Sequence, residues 1–99
     1  MTENNPWKTL TGITWPIVQA PMAGVATPAL AAAVTNAGGL GSLGLGASNL
    51  DQARQMLTAV GELTSGPVNV NLFCHQPAVR NTDTERGWID WLTPLFAGM

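Results

Sequence analysis

The residues of this chain that could do chemistry fall into a glycine string, a Cys–His neighbour pair and two spaced asparagines. Gly39-Leu40-Gly41-Ser42-Leu43-Gly44 satisfies G-x-G-x-x-G, with Glu62 further along. A dinucleotide fingerprint must follow a strand and open a helix, so that the pyrophosphate meets free backbone N–H groups. Here a helical run precedes the glycines and the string itself spans the expected strand. The order is inverted, and the glycines read instead as a helix stop and a place where a flat ligand or another backbone comes near. Cys74 and His75 are adjacent, which invites a thiolate–imidazole pair. On a strand, neighbouring side chains point to opposite faces, so they cannot act on each other directly. Cys74 falls in phase with Val68, Val70 and Leu72 and reads as a packed apolar thiol. His75 shares phase with Asn69, Asn71 and Phe73, and reads as a hydrogen-bonded group at a strand end, with a catalytic role the weaker alternative. With 1 Cys and 1 His, no cysteine-rich zinc site or His pair can form, and no metal site is expected.

The asparagines say more. Asparagine is disfavoured inside strands, and two at i, i+2 put two amides on one face. Buried amides left unbonded cost roughly 1–3 kcal/mol each. Such a face implies an internal polar network or a ligand with donors and acceptors along its edge. For Asn69 the network and the ligand stand equally; for Asn71, nearer the C-terminal end of the strand where barrel sites lie, the ligand is favoured. Trp88 and Trp91, at helical spacing, read as packing, and Asp83, Glu85, Arg86 and Asp90 as a solvated face.

The elements that must position these residues alternate. Residues 1–9 are polar and expected to be frayed, and 10–13 suggest a short strand. Ile17 to Ala20 is a strand stopped by Pro21, which cannot donate to a ladder. A loop over 22–26 leads to a helix with Thr27 as N-cap and Pro28 at its first position, stopped by Gly38-Gly39. Residues 40–45 read as a buried strand. Ser48 caps a second helix, with Ala53, Met56, Leu57 and Val60 at helical spacing. Residues 68–74 alternate as a strand, and Thr82 with Glu85 fits a capping box opening a third helix. Strand–helix alternation of this kind predicts α/β architecture with βαβ units and a parallel sheet. Three units fill the chain, whereas a (β/α)₈ barrel needs about 250 residues. The expectation is therefore an incomplete TIM barrel forming one unit over 1–99.

Composition points the same way. Of 99 residues, 45% are hydrophobic and only 10% charged, against a usual quarter charged. Small domains have the most surface per residue, so this surface is expected to be covered by further protein. Four basic against six acidic residues, a net charge of −2, argues against a nucleic-acid partner. The start lacks a secretory pattern, and no apolar run reaches the roughly 18 residues of a membrane helix. A cytoplasmic location with no membrane partner is expected.

Gln19-Ala20-Pro21-Met22-Ala23-Gly24, then Thr27-Pro28 and the block from Ala31 to Gly41, resemble the amino-terminal region of nitronate monooxygenases. Val68 to Pro77 (VNVNLFCHQP) resembles the third-strand motif of the same family, especially its bacterial class I members. The resemblance runs from about Leu10 onward. It implies a (β/α)₈ barrel holding FMN at its C-terminal face. Such enzymes oxidise alkyl nitronates, propionate 3-nitronate among them, with O₂ to carbonyl compounds plus nitrite or nitrate. It further implies that Ala20, Pro21, Met22 and Ala23 run beneath the flavin. Asn71 would hydrogen-bond the cofactor, and Gly44 would leave space beside it. The family's active-site histidine matches nothing here, and His75 does not replace it. The chain is expected to be inactive alone and to need the rest of a barrel. Two alternatives stand beside this: an FMN barrel reducing quinones or enoyl thioesters with NAD(P)H, and a non-catalytic βα module docking onto a partner.

Overall fold

The computed structural model describes residues 5–99. The elements run α1 (Pro6–Thr11), α2 (Pro28–Asn36), β1 (Gly41–Gly44), α3 (Leu50–Leu63), β2 (Val68–Asn71) and α4 (Thr82–Ala97). Strands β1 and β2 pair in parallel with Gly41, Ser42, Leu43 and Gly44 opposite Val68, Asn69, Val70 and Asn71. The expected first strand survives as a single parallel bridge, Val18 to Leu40. Pro21 explains the brevity, because the chain leaves the sheet where its next N–H would be required.

Helix α2 is built as its sequence dictates. The Thr27 hydroxyl accepts from Leu30 N–H and Pro28 occupies the first turn. At its end Gly38 takes φ +100°, and the N–H groups of Gly38 and Gly39 return to the carbonyls of Thr35 and Val34. This closure satisfies the last carbonyls and needs a residue free to be left-handed. The helix lies directly on β1, because a Cβ at Gly41 would stand 2.6 Å from the Ala31 carbonyl carbon. Leu43 and Leu45 bury one face of β1 against Ala31, Ala32 and Val60, with Ala53, Met56 and Val68 packed around them. At the foot of the sheet the Thr35 hydroxyl donates to Pro67 O (2.8 Å) and accepts from Gly41 N–H (2.9 Å). One side chain thus ties α2 to β1 and to the approach to β2.

Several expectations are corrected. The strand proposed over 10–13 is absent: 6–11 form α1, capped by Asn5 and ended by Gly12 at φ 76°. Of the stretch expected to fray, 1–4 lie outside the described residues, and Asn5 to Thr9 belong to that cap and helix. The cap of α3 is Asn49, not Ser48, with Asn49 and Gln52 exchanging both bonds of a capping box. Asn81, not Thr82, caps α4; Glu85 turns instead to Arg80 in a bidentate pair (3.1 and 2.8 Å). That carboxylate raises the already high pKa of the exposed Arg80 guanidinium. Leu57 is exposed while its helical neighbour Val60 is buried.

Trp88 and Trp91 are the largest departure. They are 61% and 64% exposed and meet only edge to face, ring centroids 5.8 Å apart. Helix α4 buries none of its residues. The radius of gyration is 19.3 Å, against about 13 Å for a compact chain of this length. The packed body is α2, α3 and the sheet, and α4 stands away from it.

Candidate functional site

Alternation along β1 sends Leu43 to the helix side and Ser42 and Gly44 to the opposite face. Register adds Asn69 beside Ser42 and Asn71 beside Gly44. The open face of the sheet is therefore small and polar. Asn69 Nδ2 donates to Ser42 Oγ at 3.2 Å, which decides that residue's two open readings in favour of the internal network. Asn71 is half-buried. Its backbone carbonyl accepts from Leu45 N–H (3.0 Å), yet its side-chain amide makes no hydrogen bond among the described residues. A half-buried amide beyond the network is a ready contact for a ligand edge.

The segment Ala20 to Gly24 lies over the C-terminal end of β1. Gly44 makes this possible: a Cβ there would sit 2.9 Å from Pro21 O and 3.3 Å from Ala23 N. The space expected beside Gly44 is thus taken up by the backbone of the loop. Met22 remains 42% exposed. Pro21 and Ala23 are thus set on Gly44, Ala20 and Met22 belong to the same loop, and register puts Asn71 beside Gly44. An open groove of about 450 Å³ runs outward from Ala23 and Gly44 between the starts of α2 and α3.

The Cys–His pair changes its meaning. Strand β2 ends at Asn71, so strand phase no longer governs residues 72–75. Cys74 is exposed rather than packed. His75 is exposed, its ring 6.1 Å from that of Phe73. Phe73 rests on Gly46, where a Cβ would meet the ring at 2.6 Å. The glycine string spans β1 after a helix rather than opening one, as its order implied. Among the described residues no group of three or more His, Cys, Asp or Glu could hold a metal ion, and no helix is long and apolar enough to cross a membrane.

Two residues have roles that the sequence analysis does not assign. The Gln19 side chain is bonded to both main-chain groups of Ser42, and Ser42 is fully buried beneath it. The signal was available in Pro21, whose missing N–H leaves a ladder acceptor to be satisfied by something else.

The nitronate monooxygenase profile matches residues 4–94. The chain belongs to the nitronate monooxygenase family. The nitronate monooxygenase of Paraburkholderia phytofirmans is 59% identical over 87 residues, covering 88% of this chain and 24% of that protein. That of Pseudomonas aeruginosa is 56% identical over 88 residues, covering 89% and 25%. Among solved structures, nitroalkane oxidase from Streptomyces ansochromogenes superposes with TM-score 0.70 at 37% identity, over 91% of this chain and 26% of that one. FabK from Thermotoga maritima gives TM-score 0.69 at 38% identity, over 77% and 24%. The chain spans about a quarter of the length of the relatives it matches. Its fold is correspondingly the opening βα units of a (β/α)₈ barrel, with the polar strand face as barrel interior.

Proposed function

We propose that this chain forms one wall of an FMN site in a flavoprotein that oxidises alkyl nitronates with O₂ to carbonyl compounds plus nitrite or nitrate. The observation that carries the reading is the convergence at the C-terminal end of the strands. There the loop 20–23 crosses Gly44, and the strand partner of Gly44 is Asn71 with its amide unengaged. Barrel enzymes build their chemistry at this end. The residues present fit a flat polar-edged ring: backbone groups of Ala20 to Ala23 and the Met22 side chain to lie against, and the Asn71 amide to bond.

Bound there, the flavin would supply the electron acceptor for nitronate oxidation. The chain's own residues bind and orient. Asn71 offers both a donor and an acceptor to the ring edge. The Asn69–Ser42 bond keeps the deeper amide out of competition for the ligand. Met22 would offer the ring an adaptable apolar surface. No residue of this chain is assigned a proton-transfer role, and His75 stays outside the site. The exposed faces of Val70, Trp88, Trp91 and Leu95 are read as surface that the remainder of the barrel covers. The free thiol Cys74 suits a reducing, cytoplasmic setting.

The test is a chimera in which residues 4–94 replace the matching segment of the Pseudomonas aeruginosa relative. It is expected to purify yellow and to consume O₂ with propionate 3-nitronate. Asn71→Ala should weaken FMN binding about tenfold, the equivalent of one charge-free ligand hydrogen bond at ~1.4 kcal/mol. Bleaching by NADPH with no response to nitronate would replace the reaction by a reductase. Stoichiometric flavin on the 99-residue chain alone would refute the need for the rest of the barrel.

A further inference from the structure

We propose that Gln19 is a positioning residue: its side-chain amide replaces two ladder bonds of the first strand and so sets where the loop Ala20–Gly24 stands over the sheet. In a parallel ladder each residue of one strand bonds the partners before and after its opposite number. Leu40 does so, donating to Ile17 O (2.9 Å) and accepting from Gln19 N–H (2.9 Å). The next in line, Ser42, would donate to the carbonyl of Gln19 and accept from the N–H of residue 21. Residue 21 is proline and has no N–H. Both bonds are instead made by the Gln19 side chain: Ser42 N–H donates to Oε1 at 3.1 Å, and Nε2 donates to Ser42 O at 3.3 Å. Ser42 is completely buried, so leaving either group unpaired would carry the full penalty of an unsatisfied buried polar group.

The backbone is thereby released from the sheet one residue after Gln19 without orphaning β1. Residues 20–26 then form a turn closed upon itself. Its backbone bonds stay inside the segment, Met22 N–H to Ala20 O and the N–H groups of Val25 and Ala26 to Met22 O. Such a turn holds its own shape but not its place. Its place is fixed by the Gln19 amide on one side, by the bare Gly44 beneath Pro21 and Ala23, and by buried Ala26 leading into α2. Gln19 also has the geometry for the task, since an uncharged amide offers a donor and an acceptor side by side to match a peptide's two groups. That the positioned loop faces a flavin rests on the function proposed above; that Gln19 positions it does not.

Gln19→Leu and the gentler Gln19→Glu are made in the chimera, Glu keeping the acceptor for Ser42 N–H but setting an oxygen against Ser42 O. Hydrogen exchange of peptides over 20–25 and over 43–45 is read together with FMN titration. Expected is at least tenfold faster exchange over 20–25 with 43–45 still protected, and FMN affinity reduced about tenfold in each variant that folds. Equal acceleration over 43–45, or no change over 20–25, would make Gln19 a plain sheet-stabilising residue and overturn the proposal. Faster loop exchange with unchanged FMN affinity would keep the positioning and remove the loop from the flavin site. A parent chimera without flavin would sink the flavin reading, while the exchange comparison would still decide on Gln19.

Discussion

Adding a single methyl group at Gly44 tests the site most sharply. The Cβ of Gly44→Ala would stand 2.9 Å from Pro21 O, 3.3 Å from Ala23 N and 3.5 Å from Ala23 Cα. Carbon contacts are comfortable from about 3.5 Å, so the loop must retreat by roughly half an ångström. The obstructing atoms are main chain on both sides and cannot rotate away as a side-chain tip would. Overpacking of this kind costs about 1–3 kcal/mol, part of it relieved when the loop lifts. Flavin binding in the wild-type geometry would reimpose that strain, and each ~1.4 kcal/mol weakens Kd tenfold. The FMN affinity of the chimera should therefore fall about tenfold for Gly44→Ala and further for Gly44→Val. Apo protein titrated with FMN, followed by fluorescence quenching, gives the number; hydrogen exchange over 20–25 reports the lift. Unchanged affinity with faster loop exchange would show that the loop is no wall of the site. Unchanged exchange would refute the account of Gly44 itself.

Gly41→Ala should be worse for folding than Gly44→Ala, because its Cβ would overlap the α2 backbone at Ala31 and press on Thr35 Oγ1 at 2.8 Å. A loss of about 3 kcal/mol or more is expected from overpacking together with the disturbed Thr35 bonds, seen as a lowered unfolding midpoint or insoluble protein. Asn49→Ala removes the capping box of α3 and should cost about 1 kcal/mol, measured by denaturant unfolding. Gly61→Ala, in the same helix where an added Cβ meets nothing within 4 Å, should stabilise by roughly 0.5–1 kcal/mol. A loss there would contradict the exposed helical environment assigned to it.

Much of this protein was legible in its residues because local rules decided it. Thr27-Pro28 and Gly38 begin and end α2 through bonds made within a turn of the chain. Alternation and the two asparagines marked one strand face as polar, and the motifs around 19–24 and 68–77 pointed to the family that the profile match bears out. The caps of α3 and α4 stand one residue from the expected positions, because neighbouring Ser48, Asn49, Asn81 and Thr82 can all cap, and only the backbone's exit from the loop selects among them. The helix over 6–11 is not legible in the sequence because it is short and buries none of its residues, so it has no hydrophobic period to read.

What tertiary structure alone decided is who meets whom across the sheet. Position along the strand favoured Asn71 for a ligand, but only register showed Asn69 bonded to Ser42 and Asn71 with no side-chain partner among the described residues. The approach of the 20–24 loop turned Gly44 from open space into a seat for backbone. The end of β2 at Asn71 freed Cys74 from the packed phase its sequence suggested. The reason is common to all of these: periodicity fixes which side a residue faces, but contact depends on where a distant segment lies, and burial requires that segment to be there. Trp88 and Trp91 carry the spacing of a core stripe and stand exposed because, among the described residues, α4 buries none of its side chains against another element.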